Sequence, residues 1–359
     1  MHAFNNHFLN VSCECHPRRR FIKHLGSATA LAGLGLISTT PTNALASSNV
    51  IDTHHHFFPP EYKKAWEDWA AQRKIALVGD QSIWSVEQSL RVMDEAGVKK
   101  SILSLASTPG LWFDLPTPEV VKLVRLCNDF GASMVKAHPD RYGLFAALPM
   151  IDKESSLQEI AYAFDTLKAD GIGLQTNYGD KWPGDPAYDE IFAELNRRKA
   201  VVYFHPLVAA CCARLSVGTL NPVLEVPHDT TRAVVSLLLR GTLAKYPDIK
   251  WLFSHGGGTI PMLAGRIDFF HGKQEKAKQF APQGIEHELR KLYYDTANAT
   301  HPASMAALLK LIPSSQIMYG SDYPYVPLNT QLEALNRLHL SPQVVEDIRF
   351  GNAQRLLKK

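Results

Sequence analysis

The stretch "NVIDTHHHFFPPEY", Asn49 to Tyr62, decides how this 359-residue chain is read. A short β-branched run, Val50–Thr53, leads into three consecutive histidines, and Pro59-Pro60 then closes the run. Side chains alternate along a strand with period two, so a His-x-His pair at a strand end aims two imidazoles the same way. That selects His54 and His56 and turns His55 away, to a packing or supporting role. A lone His-x-His is a weak signal, so its meaning depends on the other histidines.

From Val50 onward, short apolar runs alternate with helical patterns. Strands are expected near Val50–Thr53, Ser101–Leu105, Tyr142–Leu148, Ile172–Gln175, Val201–Phe204, Trp251–Phe253, Leu292–Asp295 and Ile317–Tyr319. Ser85-Val86-Glu87-Gln88 reads as a capping box opening a helix to Ala96, with Gly97 at its end. Thr117-Pro118 opens a helix to about Lys136, and Asp185-Pro186 opens another through 187–198. Asp229 is expected to cap a helix over 230–246. Eight strands, each followed by a helix, predict an α/β protein of the (β/α)8 barrel type.

In such a barrel the carboxyl ends of the strands converge on one mouth. His54 and His56 lie at the end of strand one, His205 after strand five in "VVYFHP", His255 after strand six in "WLFSHGGG" and Asp322 after strand eight in "IMYGSDYP". Imidazole nitrogens and a carboxylate oxygen are the donors of zinc-type catalytic sites. Four of these, His54, His56, His205 and Asp322, make a three-histidine, one-carboxylate set. His255 is placed as an acid/base beside a metal-bound water, or as a further ligand. Gly256-Gly257-Gly258 after it lets the backbone approach the mouth closely. Asp52 is a candidate to orient a ligand imidazole, or simply a strand-end hydrogen-bond partner. His138 and His301 fall at helix ends, and His228 either lines the mouth or lies outside it.

Residues 1–46 read differently. Arg18-Arg19-Arg20-Phe21-Ile22-Lys23 resembles a twin-arginine export signal, and an apolar stretch near Leu25–Ile37 leads to Ala44-Leu45-Ala46, which suits signal peptidase. The stretch is too short for a spanning helix, which needs about 20 residues. The expectation is a signal peptide over 1–46, a catalytic domain over 50–359, delivery by the twin-arginine machinery to the periplasm, and no membrane anchor. Formal net charge is +3, from 38 Lys+Arg and 35 Asp+Glu. The leader holds Arg18, Arg19, Arg20, Lys23 and Glu14, so 38 − 4 = 34 basic and 35 − 1 = 34 acidic residues remain. A neutral mature chain gives no reason to expect nucleic acid. Cys127, Cys211 and Cys212 remain, an odd number and a poor disulfide framework.

The segments "IDTHHHF", "YFHP", "SHGGGTIPMLAGRI", "YYDTA", "GSDYP" and "GNAQRLL" resemble, in order, the amidohydrolase superfamily. Within it they are similar to the amidohydrolase-related family that includes aminocarboxymuconate semialdehyde decarboxylase. The segments 176–198 and 228–234, with Cys211-Cys212, look most like bacterial 6-methylsalicylate decarboxylase-type sequences. The resemblance implies one divalent ion, zinc or manganese, on His54, His56, His205 and Asp322, with His255 as acid/base. It implies a homodimer in which Arg266 reaches the neighbouring site to grip a substrate carboxylate. Binuclear relatives place a carboxylated lysine after strand four, where this chain has Gln175. The semialdehyde decarboxylases carry an arginine shortly before a Trp after strand one. Here 77–85 reads "LVGDQSIWS" without one, although Arg73 lies upstream. A monocarboxylate on an aromatic ring is therefore expected, with Trp84 or Trp112 as a stacking surface or a core aromatic. The expected activity is a metal-dependent carboxy-lyase acting on a small aromatic or unsaturated carboxylic acid. The alternative is a hydrolase, a lactonase or amidohydrolase, using metal-bound hydroxide.

Overall fold

A computed structural model describes residues 49–74, 84–106, 114–215 and 217–358. Eight parallel strands follow one another in chain order: β1 (Val50–Phe57), β2 (Val98–Leu105), β3 (Tyr142–Ala147), β4 (Gly171–Gln175), β5 (Val201–His205), β6 (Lys250–Phe253), β7 (Tyr293–Asp295) and β8 (Ile317–Met318). Backbone hydrogen bonds from Thr53 N to Tyr319 O (3.0 Å), His56 N to Tyr323 O (2.8 Å) and Asp322 N to His54 O (3.0 Å) bring the last strand back to the first. The result is the expected (β/α)8 barrel, nearly closed. All eight expected strands are present, β1 running on through the histidines to Phe57. Among the described residues no helix is long and apolar enough to cross a membrane. The leader over 1–46 lies outside the described residues.

Strand parity sorts the core. Val201, Tyr203 and His205 share the inner face of β5, while Val202 and Phe204 pack outward against helices. Ile51, Ile102, Phe145, Tyr203, Leu252 and Met318, from six strands, fill the barrel beneath the mouth. β1 breaks the parity rule usefully. Asp52 pairs with Ser101, but His55 pairs with Leu103, so β1 carries one extra residue between them. A bulge of this kind re-aims side chains. Ile51 therefore points inward and so do His54 and His56, whereas His55 turns outward to Ser89 (2.9 Å).

The helix signals hold at the ends. Ser85 accepts from Gln88 N (3.1 Å), and Gly97 closes the helix Val86–Ala96 in the left-handed region. The helix opened by Thr117 runs to Ala137, and Asp185 caps a short turn over Pro186–Tyr188 that leads into the helix Asp189–Arg197. His138 ends one helix and His301 begins another.

The expected cap at Asp229 is wrong. The helix runs Asn221–Leu239, with Asn221-Pro222 opening it and Pro227 inside it. Asp229 sits within the helix, fully buried, and accepts from Thr176 Oγ1 (2.5 Å), Asn177 Nδ2 (2.7 Å) and Trp182 Nε1 (3.1 Å). Pro227 removes its own N–H at a turn where Val223 is 60% exposed, so the helix continues through it. Thr176 and Asn177 also bond the backbone of Leu207, so this carboxylate ties the ends of β4 and β5 together just beyond His205.

The two roles differ in energy. A lost cap costs about 1 kcal/mol, whereas stranding the buried donors of Thr176 and Asn177, with Trp182 and Arg232 (3.3 Å) half-exposed beside them, costs about 2 kcal/mol or more. Asp229→Ala is expected to show the larger loss in denaturant unfolding. A loss near 1 kcal/mol would mean the buried network contributes little.

Candidate metal centre at the barrel mouth

The side chains named from sequence meet. His54 Nε2 lies 3.1 Å from His56 Nε2 and 3.1 Å from Asp322 Oδ1. Asp322 Oδ1 lies 3.3 Å from His56 Nε2 and 3.9 Å from His205 Nε2. His54, His205, His255 and Asp322 each offer a donor atom within 4.8 Å of the others. Two atoms bound about 2.1 Å from one ion sit roughly 3.0–3.4 Å apart, which the separations among His54, His56 and Asp322 match, while His205 stands somewhat farther out.

The hydrogen bonds around the ring nitrogens say the same. His54 Nδ1 is 2.8 Å from Asp295 Oδ2, His56 Nδ1 is 3.2 Å from the Ser104 carbonyl, and His255 Nδ1 is 3.1 Å from the Ala297 carbonyl. Each Nδ1–H must donate, because its partner only accepts. A neutral imidazole then carries its lone pair on Nε2. On His54 and His56 those nitrogens face each other and a carboxylate oxygen, an arrangement that a shared proton or a cation between them satisfies.

Electrostatics point the same way. Burial pulls the His54 imidazole down, but Asp295 and Asp322 overcome it and push it up to about 10. Burial lowers His56 and His255 and takes His205 well below its ordinary value. Burial works to raise the Asp322 carboxyl, and the charge on His54 with hydrogen bonds from His205, His54 and His56 outweighs it, holding it well below the carboxylate range. Two carboxylates thus draw one positive charge to this point. A divalent ion would supply that charge, and the nitrogen and oxygen donors fit zinc or manganese.

Two site residues are held in left-handed backbone: His255 at φ 54° and Asp322 at φ 68°. Such residues cost about 1–3 kcal/mol each and persist only where their surroundings fix them. His255 N donates to Asp295 Oδ1 (2.9 Å), and Asn298 Nδ2 donates to Asp322 Oδ2 (2.9 Å). A Cβ on Gly258, also at positive φ, would collide with the Pro227 carbonyl oxygen, which is the close approach the glycine run permits.

Sequence reasoning missed Asp295 and Asn298. The signal for Asp295 was "YYDTA", a carboxylate at the end of β7. Asp52 does not reach a ligand imidazole. It accepts from His54 N and Ser321 N (both 3.0 Å) and from Ser321 Oγ (2.6 Å), and meets His55 Nδ1 at 3.2 Å, which is the strand-end role. His228 is exposed and lies off the cleft.

A cleft of about 880 Å³ opens from His205, His255 and Asp322, with Trp66, Trp69 and Tyr325 among its walls. Trp84 is not one of its lining residues; it packs at 6.1 Å from Phe58 and 6.5 Å from Phe130. Trp112 and residues 77–83 lie outside the described residues. Arg73 pairs with Asp114 (3.3 Å) and stacks on Trp69. Arg266 is exposed, 5.0 Å from the Phe270 ring, and does not line its own chain's cleft.

Asp295→Asn should lower metal affinity about 10–100-fold, the usual effect of losing a carboxylate behind a ligand imidazole. Competition with a chromogenic chelator measures it. Wild-type affinity in this variant would remove Asp295 from the metal's support.

The amidohydrolase family model matches residues 51–359. The decarboxylase macB of Penicillium terrestre is 36% identical over 303 residues, covering 79% of this chain and 86% of its own. The 6-methylsalicylic acid decarboxylase of Penicillium expansum is 32% identical over 291 residues, covering 80% and 89%. These relatives are fungal, where the resemblance had pointed to bacterial ones. A crystal structure of an amidohydrolase II is 27% identical with a TM-score of 0.77, covering 87% of this chain and all of that one. A dihydroxybenzoic acid decarboxylase from Polaromonas, solved with bound manganese and 2-nitroresorcinol, shares the fold at 22% identity and a TM-score of 0.74, covering 86% and 97%. The barrel, its histidine–aspartate centre and these matches place the chain in the amidohydrolase family.

Proposed function

We propose that this chain is a metal-dependent, non-oxidative decarboxylase of a small aromatic acid, with a 6-methylsalicylate-like hydroxybenzoate as the best-fitting substrate. The observation that carries this reading is a His/Asp metal centre opening directly into a mostly apolar cleft, in a chain about a third identical to two decarboxylases. His54, His56, His205 and Asp322 would hold a divalent ion, and that ion would supply Lewis-acid chemistry toward the acid end of the substrate. His255, or less readily the ionised Asp322, would take up a proton from water in the cleft and deliver it to the ring carbon that bears the carboxylate. The electron pair of the broken C–C bond stays on the ring, the proton takes the vacated position, and carbon dioxide leaves. No electron acceptor is needed.

The hydrolase reading rests on one observation. His255, which burial biases to the neutral form, lies among the metal donors, where it could act as a base toward water. A panel of hydroxybenzoates, lactones and aryl esters separates the two. Decarboxylation predicts carbon dioxide release from an ortho-hydroxybenzoate and, in deuterated water, one deuterium at the vacated ring carbon. Turnover of lactones or esters with solvent oxygen incorporated, and no carbon dioxide from any hydroxybenzoate, would replace it with the hydrolase.

Zinc is favoured by three imidazoles with one carboxylate, and a single ion by Gln175 standing at the inner end of β4 in place of a lysine. Elemental analysis is expected to give one ion per chain, kept in His255→Ala and lost in His56→Ala. Loss from the His255 variant would make it a ligand instead of the acid/base.

The homodimer reading is supported by Arg266, which is exposed over the Phe270 ring and shares its helix region with Met262 (75% exposed) and Phe269 (66% exposed). Mixing inactive His255→Ala and Arg266→Ala chains should restore part of the activity. No recovery after proven subunit exchange would remove Arg266 from the neighbouring site. The reading of Trp84 as a stacking surface has only its place in the aromatic cluster beside Phe58 to support it, and unchanged KM in Trp84→Leu would end it. Export rests on the leader alone. A periplasmic product beginning at Ser47 is expected, and Arg18→Lys with Arg19→Lys should hold the precursor in the cytoplasm.

A further inference from the structure

The cleft is far larger than the substrate proposed above. A ring of about eleven heavy atoms packed at interior density fills on the order of 200 Å³, while the cleft measures about 880 Å³. Its chemistry is lopsided. His205, His255 and Asp322 sit at one wall, and the surface leading away from them is built of Trp66, Trp69, Val226, Val326 and similar side chains. Among the described residues no lysine or arginine lines it. Within a single chain, a second carboxylate or a phosphate buried there finds no counter-charge among the described residues, which is unfavourable. The polar groups nearest the metal donors are already engaged: Asn298 with Asp322 and Gln331, Thr259 with Thr231. At the outer rim, Val223 and Met262 are 60% and 75% exposed, so the apolar track continues to the surface.

We infer that the cleft takes an aromatic hydroxy acid carrying an unbranched or lightly branched apolar arm of several carbons. The acid end meets the metal centre, and the arm lies along the track toward Met262. This rests on the decarboxylase reading and narrows it. The metal-binding end fixes where carbon dioxide leaves, and the track selects which acids reach it. The arm covers apolar surface that a single chain leaves exposed.

The test is a series of 2-hydroxybenzoates with methyl, propyl, pentyl or heptyl beside the carboxylate, assayed on the metal-loaded protein by carbon dioxide release and, separately, by calorimetric binding. Each buried methylene is worth up to about fourfold, so kcat/KM should climb two- to fourfold per carbon before levelling. Met262→Asp should compress the pentyl-to-methyl ratio by about tenfold or more. A series that is flat or falls beyond methyl, while methyl is turned over, overturns the arm. If Met262→Asp then also changes the oligomeric state, a second copy of the chain covers the rim. If no member loses carbon dioxide, the decarboxylase reading fails, and binding decides the arm: affinity that rises with chain length upholds it, and affinity that does not rise discards it.

Discussion

One buried carboxylate fixes the geometry on which the site depends. Asp295 is fully buried at the end of β7, and its two oxygens do different work. Oδ2 takes the Nδ1–H of His54, which sets that ring's tautomer and aims Nε2 at the other donors. Oδ1 takes the backbone N–H of His255 and of Ala297, which holds the left-handed turn that brings His255 to the mouth. Gly320 makes room for it: a Cβ there would come within 2.8 Å of the Asp295 carboxyl carbon and 2.9 Å of the His54 Cβ. A buried charge is expensive unless it is paired and fully hydrogen-bonded. Here the pairing is with an imidazole that a cation polarises, so the carboxylate and the metal each reduce the other's cost of burial.

The fold was legible because its signal is repeated. Eight apolar runs separated by helix starts and stops specify a barrel even when each boundary is off by a residue or two. The mouth was legible for a related reason. Once the strands are placed, His54, His56, His205 and Asp322 meet without any knowledge of distances. What escaped was whatever depends on a single local departure. The bulge in β1 leaves no mark in "VIDTHHHF", yet without it Ile51 and His54 would point to opposite faces. Asp295 looks like any strand-end acid, and Asp229 looks like a cap because proline and aspartate usually begin helices. Tertiary burial overrode both local cues, giving Asp229 the donors of Thr176, Asn177 and Trp182 and carrying the helix through Pro227.

The middle histidine shows how the same three-residue run serves two ends. His55 lies between Asp52 (3.2 Å) and Ser89 (2.9 Å), and Tyr142 donates to the same serine oxygen (2.8 Å). Asp, His and Ser in hydrogen-bonded order is the arrangement of a nucleophile relay. All three are fully buried and Ser89 lies in the first turn of its helix, so nothing reaches it to be attacked. The trio instead joins β1 to the helix behind it. Through Asp52 it also joins β1 to Ser321, next to Asp322. His55 stacks on Tyr323 at 4.8 Å on the other side of that same loop.

Rigidity at the base of the barrel and openness at its mouth are consequences of this division. Inward-pointing donors are set by bulge, tautomer and buried carboxylates, leaving them little freedom to adapt to a ligand. Selectivity must then reside in walls that do not touch the metal. Those walls come in part from the helix Asn221–Leu239 and the helix Ile260–Ile267, whose cleft-facing residues are, Asn221 apart, apolar and partly exposed. A chemistry that replaces a carboxylate by a proton on carbon asks little of the outer cleft beyond keeping the ring oriented. The same centre can therefore be kept unchanged while the walls exchange one apolar substituent for another, and the size of the cleft, not the identity of its metal donors, becomes the property that distinguishes one acid from the next.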